Sequence, residues 1–258
     1  MQIRFDESSG NLAVTDIGRV ASHYYLHNNS ILIFNEIAAQ KASKASGATS
    51  DADILNLVCA AHEFEQIKVR DEEIPELDLL RGRCHIKFPG DVTMTCNKVN
   101  VLLQAFIGGL PLRGFTLISD CAYIKQSAGR ISRALFEIFL RQNNCAMAER
   151  FLALSKSVDK QILWDSPPLR QFASLMPSEE VLRKLLDCGT PLEELCDMSP
   201  TELGALVKHP NIGLKVSSAL HSIPHLFVES KIQVGTRYRS SAVAELSCNT
   251  VIANSLYI

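Results

Sequence analysis

The chain has 258 residues and carries 26 Lys and Arg against 28 Asp and Glu, a formal net charge of −2. Hydrophobic residues at 47% and charged residues at 21% are ordinary values for a folded globular protein, which excludes disordered, collagen-like and coiled-coil chains. The nearly balanced charge excludes a global positive field, so any contact with nucleic acid or an anionic membrane has to be local. The length allows one large domain or two small ones.

The spacing of the cysteines and the lengths of the apolar runs indicate the cellular compartment. Eight cysteines occur without a C-x-x-C pair, so a zinc ribbon is not expected. No apolar run reaches the roughly 18 residues of a membrane span, and residues 1–15 lack the basic start and apolar run of a signal peptide. We therefore expect reduced thiols in the nucleus or the cytosol, with no membrane partner.

The first two thirds of the chain have a predominantly helical pattern. Short alternating runs at residues 2–5 and 12–14, joined by a Gly/Asn/Ser turn, predict a hairpin. The small-residue stretch 40–50 interrupts the periodicity that follows and predicts a loop, and the pair Pro167-Pro168 ends the last long helix. The predicted helices are 16–25, 30–39, 51–64, 71–80, 98–107, 119–141 and 146–163.

In the last third of the chain, the spacing of the apolar residues changes. Four short helices are predicted at 178–188, 190–196, 200–208 and 213–222. Residues 226–234 and 242–257 are rich in Val, Ile, Leu, Ser and Thr and predict strands, of a sheet that we expect to continue beyond Ile258. The fold class is therefore mainly α.

Residues 126–133 match Q-x-x-G-R-x-x-R, which resembles the arginine motif that contacts ATP phosphates in helicase motors. That motif works beside a G-x-x-x-x-G-K-[ST] phosphate loop and a D-E-x-[DH] strand end, and neither occurs in this sequence. The closest segment, Asp71-Glu72-Glu73-Ile74, fails at its fourth position. We therefore predict no ATP site, and no other spacing predicts catalytic residues.

The predicted helix 119–141 has two faces. Successive side chains of a helix lie about 100° apart around its axis, so seven apolar residues fall on one face, which we predict to lie in the core. Its members are Cys121, Ile124, Ala128, Ile131, Leu135, Ile138 and Phe139. The opposite face is polar, with guanidinium groups one turn apart, and could follow a sugar-phosphate backbone. Its members, the polar stripe, are Ser119, Tyr123, Gln126, Arg130, Arg133, Glu137 and Arg141. The alternative is a solvated face on which an Arg133–Glu137 pair contributes about 0.3 kcal/mol.

Residues 209–215 lie between two short helices and resemble a helix-hairpin-helix turn. Gly213 permits a tight bend, Asn211 replaces the usual second glycine as a left-handed residue, and Lys215 falls in the first turn of the next helix. Exposed N–H groups at a helix start can hold a phosphate, and a plain helix-to-helix connection is the equally favoured alternative.

His23 and His27 have the i, i+4 spacing of a metal-binding helix. No Asp, Glu or Cys accompanies them at ligand spacing, so no metal is predicted.

Five segments, taken in order, resemble the Sec63 homology unit that follows the motor in large DExH-box RNA helicases. They are 15–25, 69–73, 97–104, 119–138 and 168–172. Two branches of that family, one spliceosomal and the other part of a transcription-coactivator complex, resemble the chain, and the sequence leaves both open.

The resemblance implies a helical bundle followed by a helix-loop-helix unit and the start of a fibronectin-like β-sandwich. The corresponding divisions are 1–28 for the end of a winged-helix-like region, 29–176, 177–224 and 225–258. Residues 119–141 would be the ratchet helix that grips single-stranded RNA. The implied nucleic-acid-binding residues are Gln126, Arg130, Arg133, Glu137, Asn211, Gly213 and Lys215.

The resemblance also implies a role. The chain would be a non-catalytic module of an ATP-dependent RNA helicase, with motor domains in cis and other subunits of a ribonucleoprotein complex as partners. ATP and Mg²⁺ would bind only to motor domains upstream. The nucleus is the expected location and the cytoplasm the alternative. A protein-docking scaffold in the same complex is the alternative function.

Overall fold

The computed structural model describes residues 3–43, 50–223, 225–235 and 243–253. The strands are β1 Ile3–Phe5, β2 Leu12–Val14, β3 His225–Gly235 and β4 Val243–Ala253. The helices are α1 Asp16–His23, α2 Asn28–Ser43, α3 Asp51–Cys59, α4 Ile74–Arg83, α5 Thr95–Ile107, α6 Phe115–Arg141, α7 Cys145–Lys160, α8 Glu179–Asp187, α9 Leu192–Asp197, α10 Pro200–Leu206 and α11 Gly213–His221. Short 3-10 helices occupy His62–Phe64, Asp71–Glu73, Pro168–Leu175 and Pro210–Ile212. The predicted mainly α class is confirmed.

The chain divides into two units between Ser166 and Pro167, each with its own apolar core. The core of the first unit comes from α1 to α7, and that of the second from the 3-10 helix Pro168–Leu175 and from α8 to α11. The predicted four-part division stays a prediction.

Two predicted elements differ from the structure in kind and not only in their bounds. The stretch 40–50 was expected to be a loop, yet α2 extends through Ser43; residues 44–49 lie outside the described ones. The predicted helix 51–64 is broken, because α3 ends at Cys59 and a 3-10 turn at His62–Phe64 follows. Glu63 of that turn accepts the backbone N–H of His27 at 2.9 Å and the Ser30 hydroxyl, and so holds the turn against the start of α2.

The strands form two separate antiparallel pairs. β1 pairs with β2 and β3 with β4, in registers Ile3↔Val14 and His225↔Ala253. The predicted hairpin is therefore present, and β3 and β4 confirm the predicted strands over 225–235 and 243–253; residues 254–257 of the second predicted strand lie outside the described ones.

Helix α5 runs through the core of the first unit, and its buried polar side chains each fix a different neighbour. Asn100 Nδ2 donates to Asn56 Oδ1 on α3 at 3.1 Å. The Gln104 amide accepts the Ile86 N–H at 2.8 Å and donates to the Ile86 carbonyl at 3.0 Å, which fixes the segment after α4. Because buried polar groups cost free energy unless they are paired, these contacts allow only one placement of each neighbour.

The Lys98 ammonium of α5 lies at the buried centre of an ionic cluster, defined here as Arg70, Glu73, Lys98, Thr116 and Asp120, of which Arg70 reaches the surface. Lys98 is fully buried, and its Nζ lies 2.6 Å from Glu73 Oε2, 2.7 Å from Asp120 Oδ2 and 2.8 Å from the Lys68 carbonyl oxygen, to which it donates. The Asp120 contact is a close ion pair outside hydrogen-bond geometry. The cluster joins α5, α6 and the turn before α4.

Glu73 receives the remaining donors of the cluster. Its Oε1 accepts hydrogen bonds from Arg70 Nη1 at 2.5 Å and from the Thr116 hydroxyl at 2.6 Å. Burial by itself raises the pKa of Glu73, but the hydrogen bonds from Lys98, Thr116 and Arg70 outweigh it and lower that pKa to about 2. The carboxylate therefore stays ionised at neutral pH.

We predict that Lys98→Met destabilises the first unit by about 3–5 kcal/mol, because it removes the only buried cation of the cluster and leaves the Glu73 and Asp120 carboxylates with the half-exposed Arg70 alone. Chemical denaturation followed by circular dichroism measures the loss. Lys156→Met, on the exposed side of α7, is the matched control and should change stability by less than about 0.5 kcal/mol. Equal stability of the two variants would contradict the role given to the cluster.

Candidate nucleic-acid interface

Helix α6 is the longest helix of the described residues, and its start is fixed by two carboxylates. Glu76 accepts the backbone N–H groups of Arg113 at 2.6 Å and Gly114 at 3.1 Å, and Glu73 binds the Thr116 hydroxyl. Negative charge is favoured at a helix N-terminus, where backbone donors are unpaired. This explains why α6 begins at Phe115, four residues before the predicted start.

The predicted core face of α6 is confirmed, because all seven of its members are buried. Gly129 has a different role from the one suggested by the arginine motif. A Cβ there would lie 3.2 Å from Asp159 Oδ1 and 3.6 Å from Val158 Cγ1, so the glycine permits close packing of α7. The glycine of the Q-x-x-G-R pattern is thus accounted for by helix packing.

The polar stripe is partly open to solvent and partly tied to neighbouring segments. Ser119 and Gln126 are exposed. Arg130 Nη1 donates to the Tyr25 carbonyl at 2.9 Å, and the Tyr123 hydroxyl donates to the Glu63 carbonyl at 2.9 Å. A guanidinium has five N–H donors, so Arg130 keeps donors for a ligand.

The Arg133–Glu137 pair of the alternative interpretation, the solvated face, is not among the ion pairs of the described residues. Arg133 Nη2 instead lies 3.5 Å from Asp159 Oδ2, with both side chains about half exposed. Glu137 accepts the Tyr24 hydroxyl at 2.6 Å. Burial, followed by the bond to Glu137, raises the pKa of Tyr24 to about 12, so this hydroxyl remains a donor at neutral pH. Both partners lie on other helices or turns, which sequence spacing along α6 could not reveal.

At the end of the stripe, Arg141 lies 3.6 Å from Asp16 of α1 and 3.9 Å from Glu137. Arg133 and Arg141 are therefore accompanied by carboxylates, whereas Arg130 binds a backbone carbonyl. Such exposed pairs contribute at most about 1 kcal/mol each, so a polyanion can exchange with them. The arrangement suits non-specific contact with a phosphate backbone, and it contains no nucleophile paired with a base.

The residues predicted in the second unit lie together in one turn, and only part of their predicted geometry is present. Asn211 is exposed in the 3-10 helix Pro210–Ile212, and Lys215 is exposed in the first turn of α11. The prediction that Asn211 is left-handed is wrong: Lys208, with φ 57°, is the left-handed residue. Its N–H and that of His209 donate to the Ala205 and Gly204 carbonyls, which is a Schellman end for α10.

Gly213 is required for packing and not for an unusual dihedral angle. Its φ and ψ are −52° and −42°, ordinary helical values. A Cβ at this position would overlap the Pro200 carbonyl oxygen and lie 3.0 Å from the Gly204 nitrogen, so the glycine lets α11 approach α10. Gly213 itself is buried, and only Asn211 and Lys215 of this group are exposed.

Sequence reasoning missed two features. The ionic cluster was one of them, although a lysine within the apolar run 98–107 was a signal for it. The other is Tyr25, whose side chain is 80% exposed beside Arg130. In the part of the chain that the structure describes, no group of three or more His, Cys, Asp or Glu is placed to hold a metal ion. Among the same residues, no helix is long and apolar enough to cross a membrane.

We predict that Gly213→Ala destabilises the second unit by about 1–3 kcal/mol, because the added methyl group forces α10 and α11 apart. Gly82→Ala is the control: its Cβ would meet nothing within 4 Å in α4, so stability should rise by about 0.5–1 kcal/mol. Thermal unfolding of both variants measures the difference. An unchanged melting temperature for Gly213→Ala would contradict the close approach.

The comparisons with known proteins, by family and by individual relative, agree with one another. Residues 14–252 match the Sec63 Brl domain family. The chain is 48% identical to activating signal cointegrator 1 complex subunit 3 of Gallus gallus and 45% identical to that of Homo sapiens, each over 91% of this chain and 10% of the relative. It is 36% identical to the U5 small nuclear ribonucleoprotein 200 kDa helicase of Homo sapiens, over 91% of this chain and 11% of that protein.

The chain thus spans about a tenth of the length of the curated relatives that it matches. The match covers both units of the structure and the five segments that carry the sequence resemblance. The resemblance is therefore confirmed, and the chain belongs to the Sec63 Brl domain family.

Proposed function

We propose that this chain is an accessory nucleic-acid-binding module of an ATP-dependent RNA helicase and guides single-stranded RNA through the helicase channel during unwinding. The observation that carries the proposal is the exposed polar stripe on α6, a helix fixed by the ionic cluster and buried on its opposite face. The helicase named among its relatives supports it.

The stripe suits a strand that has to move. Arg130 and Arg133 offer guanidinium donors to phosphate oxygens, and Gln126 offers an amide to sugar or base edges. Glu137 holds Tyr24 and leaves the RNA contacts to its neighbours. Contacts with the backbone carry no sequence information, so the strand could advance without a change in affinity. Asn211 and Lys215 would add a second phosphate contact, for which Gly213 shapes the turn.

The proposal extends to cofactors, partners and location. ATP and Mg²⁺ bind to motor domains upstream in a longer chain, and this chain holds no cofactor. Its partners are single-stranded RNA, the motor domains in cis and other subunits of a large ribonucleoprotein complex. The process is pre-mRNA splicing in the nucleus, or the work of a ribosome- or transcription-coactivator-linked complex, for which a cytoplasmic location is the alternative.

The finer fold belongs to the same proposal. Residues 1–28 end a winged-helix-like region, 29–176 form the bundle with the ratchet helix, and 177–224 form the helix-loop-helix unit. Residues 225–258 begin a fibronectin-like sandwich, for which the antiparallel pairing of β3 with β4 is the support.

A protein-docking scaffold is the second candidate, and the hairpin β1–β2 favours it. Ile3, Phe5, Leu12 and Val14 are 48–72% exposed on this hairpin. An exposed apolar patch on a small hairpin is typical of a surface that another domain or protein covers.

We predict that Arg130→Glu combined with Arg133→Glu weakens RNA binding while the fold stays intact, because the two exposed contacts that are lost contribute at most about 1 kcal/mol each. Each lost phosphate contact should flatten the plot of log affinity against log salt by about 0.7, so two contacts flatten it by about 1.4. The control, Arg183→Glu with Lys156→Glu, changes the net charge equally on exposed residues of α8 and α7. Affinity and melting temperature are measured on this chain, and strand unwinding on a chain that also carries the motor domains.

Slower unwinding and weaker binding only in the α6 variant would support the module. Unchanged binding and unwinding, together with loss of a protein partner in a pull-down, would instead support the scaffold.

We also predict that the 258-residue chain alone hydrolyses no ATP, because it contains no phosphate loop and no acidic motif of the motor type. RNA-stimulated phosphate release that co-purifies with the chain and exceeds the buffer background would refute this.

A further inference from the structure

Tyr25 is an exposed aromatic residue whose backbone is held firmly in place. Its side chain is 80% exposed, and no ring contact or side-chain hydrogen bond of Tyr25 is present among the described residues. The neighbouring Tyr24 is different: its ring packs edge-on against His23 at 4.8 Å and its hydroxyl binds Glu137. Tyr24 thus has a structural role that Tyr25 lacks.

The backbone of Tyr25 is held in the left-handed region, with φ 51°. Its N–H donates to the Ser22 carbonyl at 3.2 Å, and the N–H of Leu26 donates to the Ala21 carbonyl at 2.8 Å, so Tyr25 occupies the position after α1 where glycine is the favoured residue. A side chain is unfavourable there. A large exposed ring therefore occupies a position whose backbone conformation favours glycine.

Two contacts attach this turn to the polar stripe. Arg130 Nη1 donates to the Tyr25 carbonyl oxygen at 2.9 Å, and Tyr24 donates to Glu137 at 2.6 Å. Arg130 and Glu137 are seven residues apart, about two turns of α6. The turn is thereby fixed beside Arg130, and so is the backbone position from which the ring of Tyr25 projects.

We propose that Tyr25 is a stacking platform for one unpaired base of the strand whose phosphates contact Arg130 and Arg133. An unpaired base presents a flat face, and proteins bind single-stranded nucleic acids by pairing cationic backbone contacts with exposed aromatic rings. Every base has such a face, so stacking leaves the interface sequence-tolerant. This inference rests on the proposed RNA-binding function and adds a residue to it.

The test uses the 258-residue chain with fluorescent A12 and U12 oligoribonucleotides and fluorescence anisotropy. Tyr25→Gly removes the ring and relaxes the backbone, so the fold remains intact and the melting temperature does not fall. We expect the affinity for A12 to fall by about fivefold or more, with a smaller loss for U12, because purines stack more strongly. The salt slope remains unchanged, since no charge is removed. Tyr25→Phe restores the ring and the affinity.

Two further variants complete the design. Phe115→Ala removes a ring that is 84% exposed at the start of α6 and serves as the control for loss of any exposed aromatic. Arg133→Gln removes a charge of the stripe without touching Tyr25 and flattens the salt slope.

Any of three results, with Arg133→Gln still weakening binding, would overturn the role of Tyr25 as a stacking platform and leave the proposed function standing. In the first, Tyr25→Gly binds A12 as tightly as the parent chain. In the others, Tyr25→Phe or Phe115→Ala loses as much affinity for A12 as Tyr25→Gly does. Loss of a protein partner in Tyr25→Gly at unchanged RNA affinity would overturn it too, in favour of protein docking. A parent chain that binds neither oligonucleotide would overturn both this inference and the proposed function.

Discussion

The placement of α6 depends on one buried ammonium group. Lys98 cannot lie in the core without anionic partners, because an unpaired buried charge costs several kcal/mol, and it finds them in Glu73 and Asp120 from two other elements. Lys98 also donates to the Lys68 carbonyl oxygen. The placement of three oxygens around one nitrogen, two of them hydrogen-bond acceptors and the third an ion-pair partner, allows little variation in how α5, α6 and the preceding turn meet. Apolar packing alone tolerates sliding between helices far more readily.

The placement of α6 also determines which of its side chains lie at the surface of the molecule. Because the Glu73 carboxylate also binds Thr116, and Glu76 accepts the N–H groups of the two residues before α6, the rotation of that helix about its axis is fixed near its N-terminus. One face then lies in the core, and the polar stripe is left for solvent, α1 and the turn after it. The side chains of the polar stripe are thus carried on a helix that the ionic cluster holds in place, as a rigid binding site requires.

Some of the interface followed from the sequence and some did not. The amphipathic period of 119–141 identified both faces of α6 correctly, because a helix repeats every 3.6 residues whatever surrounds it. The partners of the polar face could not be found in this way. Arg133 pairs with Asp159 and Arg130 binds a carbonyl 105 residues away, since the ends of long side chains select whichever group the tertiary fold brings near. The assignment of Asn211 as left-handed failed for a related reason: the Schellman end of α10 falls at Lys208.

The sequence by itself determined that the chain is mainly helical, where most of its helices lie and which family it belongs to, because periodicity, capping residues and motif order are local properties. Only the tertiary structure decided that Arg70, Glu73, Lys98 and Asp120 form one cluster, that Gly213 and Gly129 serve helix contacts, and that Tyr25 stands exposed beside Arg130. These depend on groups distant in sequence meeting in a low-dielectric interior or across a helix interface. Such contacts are determined by the packing of the whole unit and not by the spacing of residues along the chain.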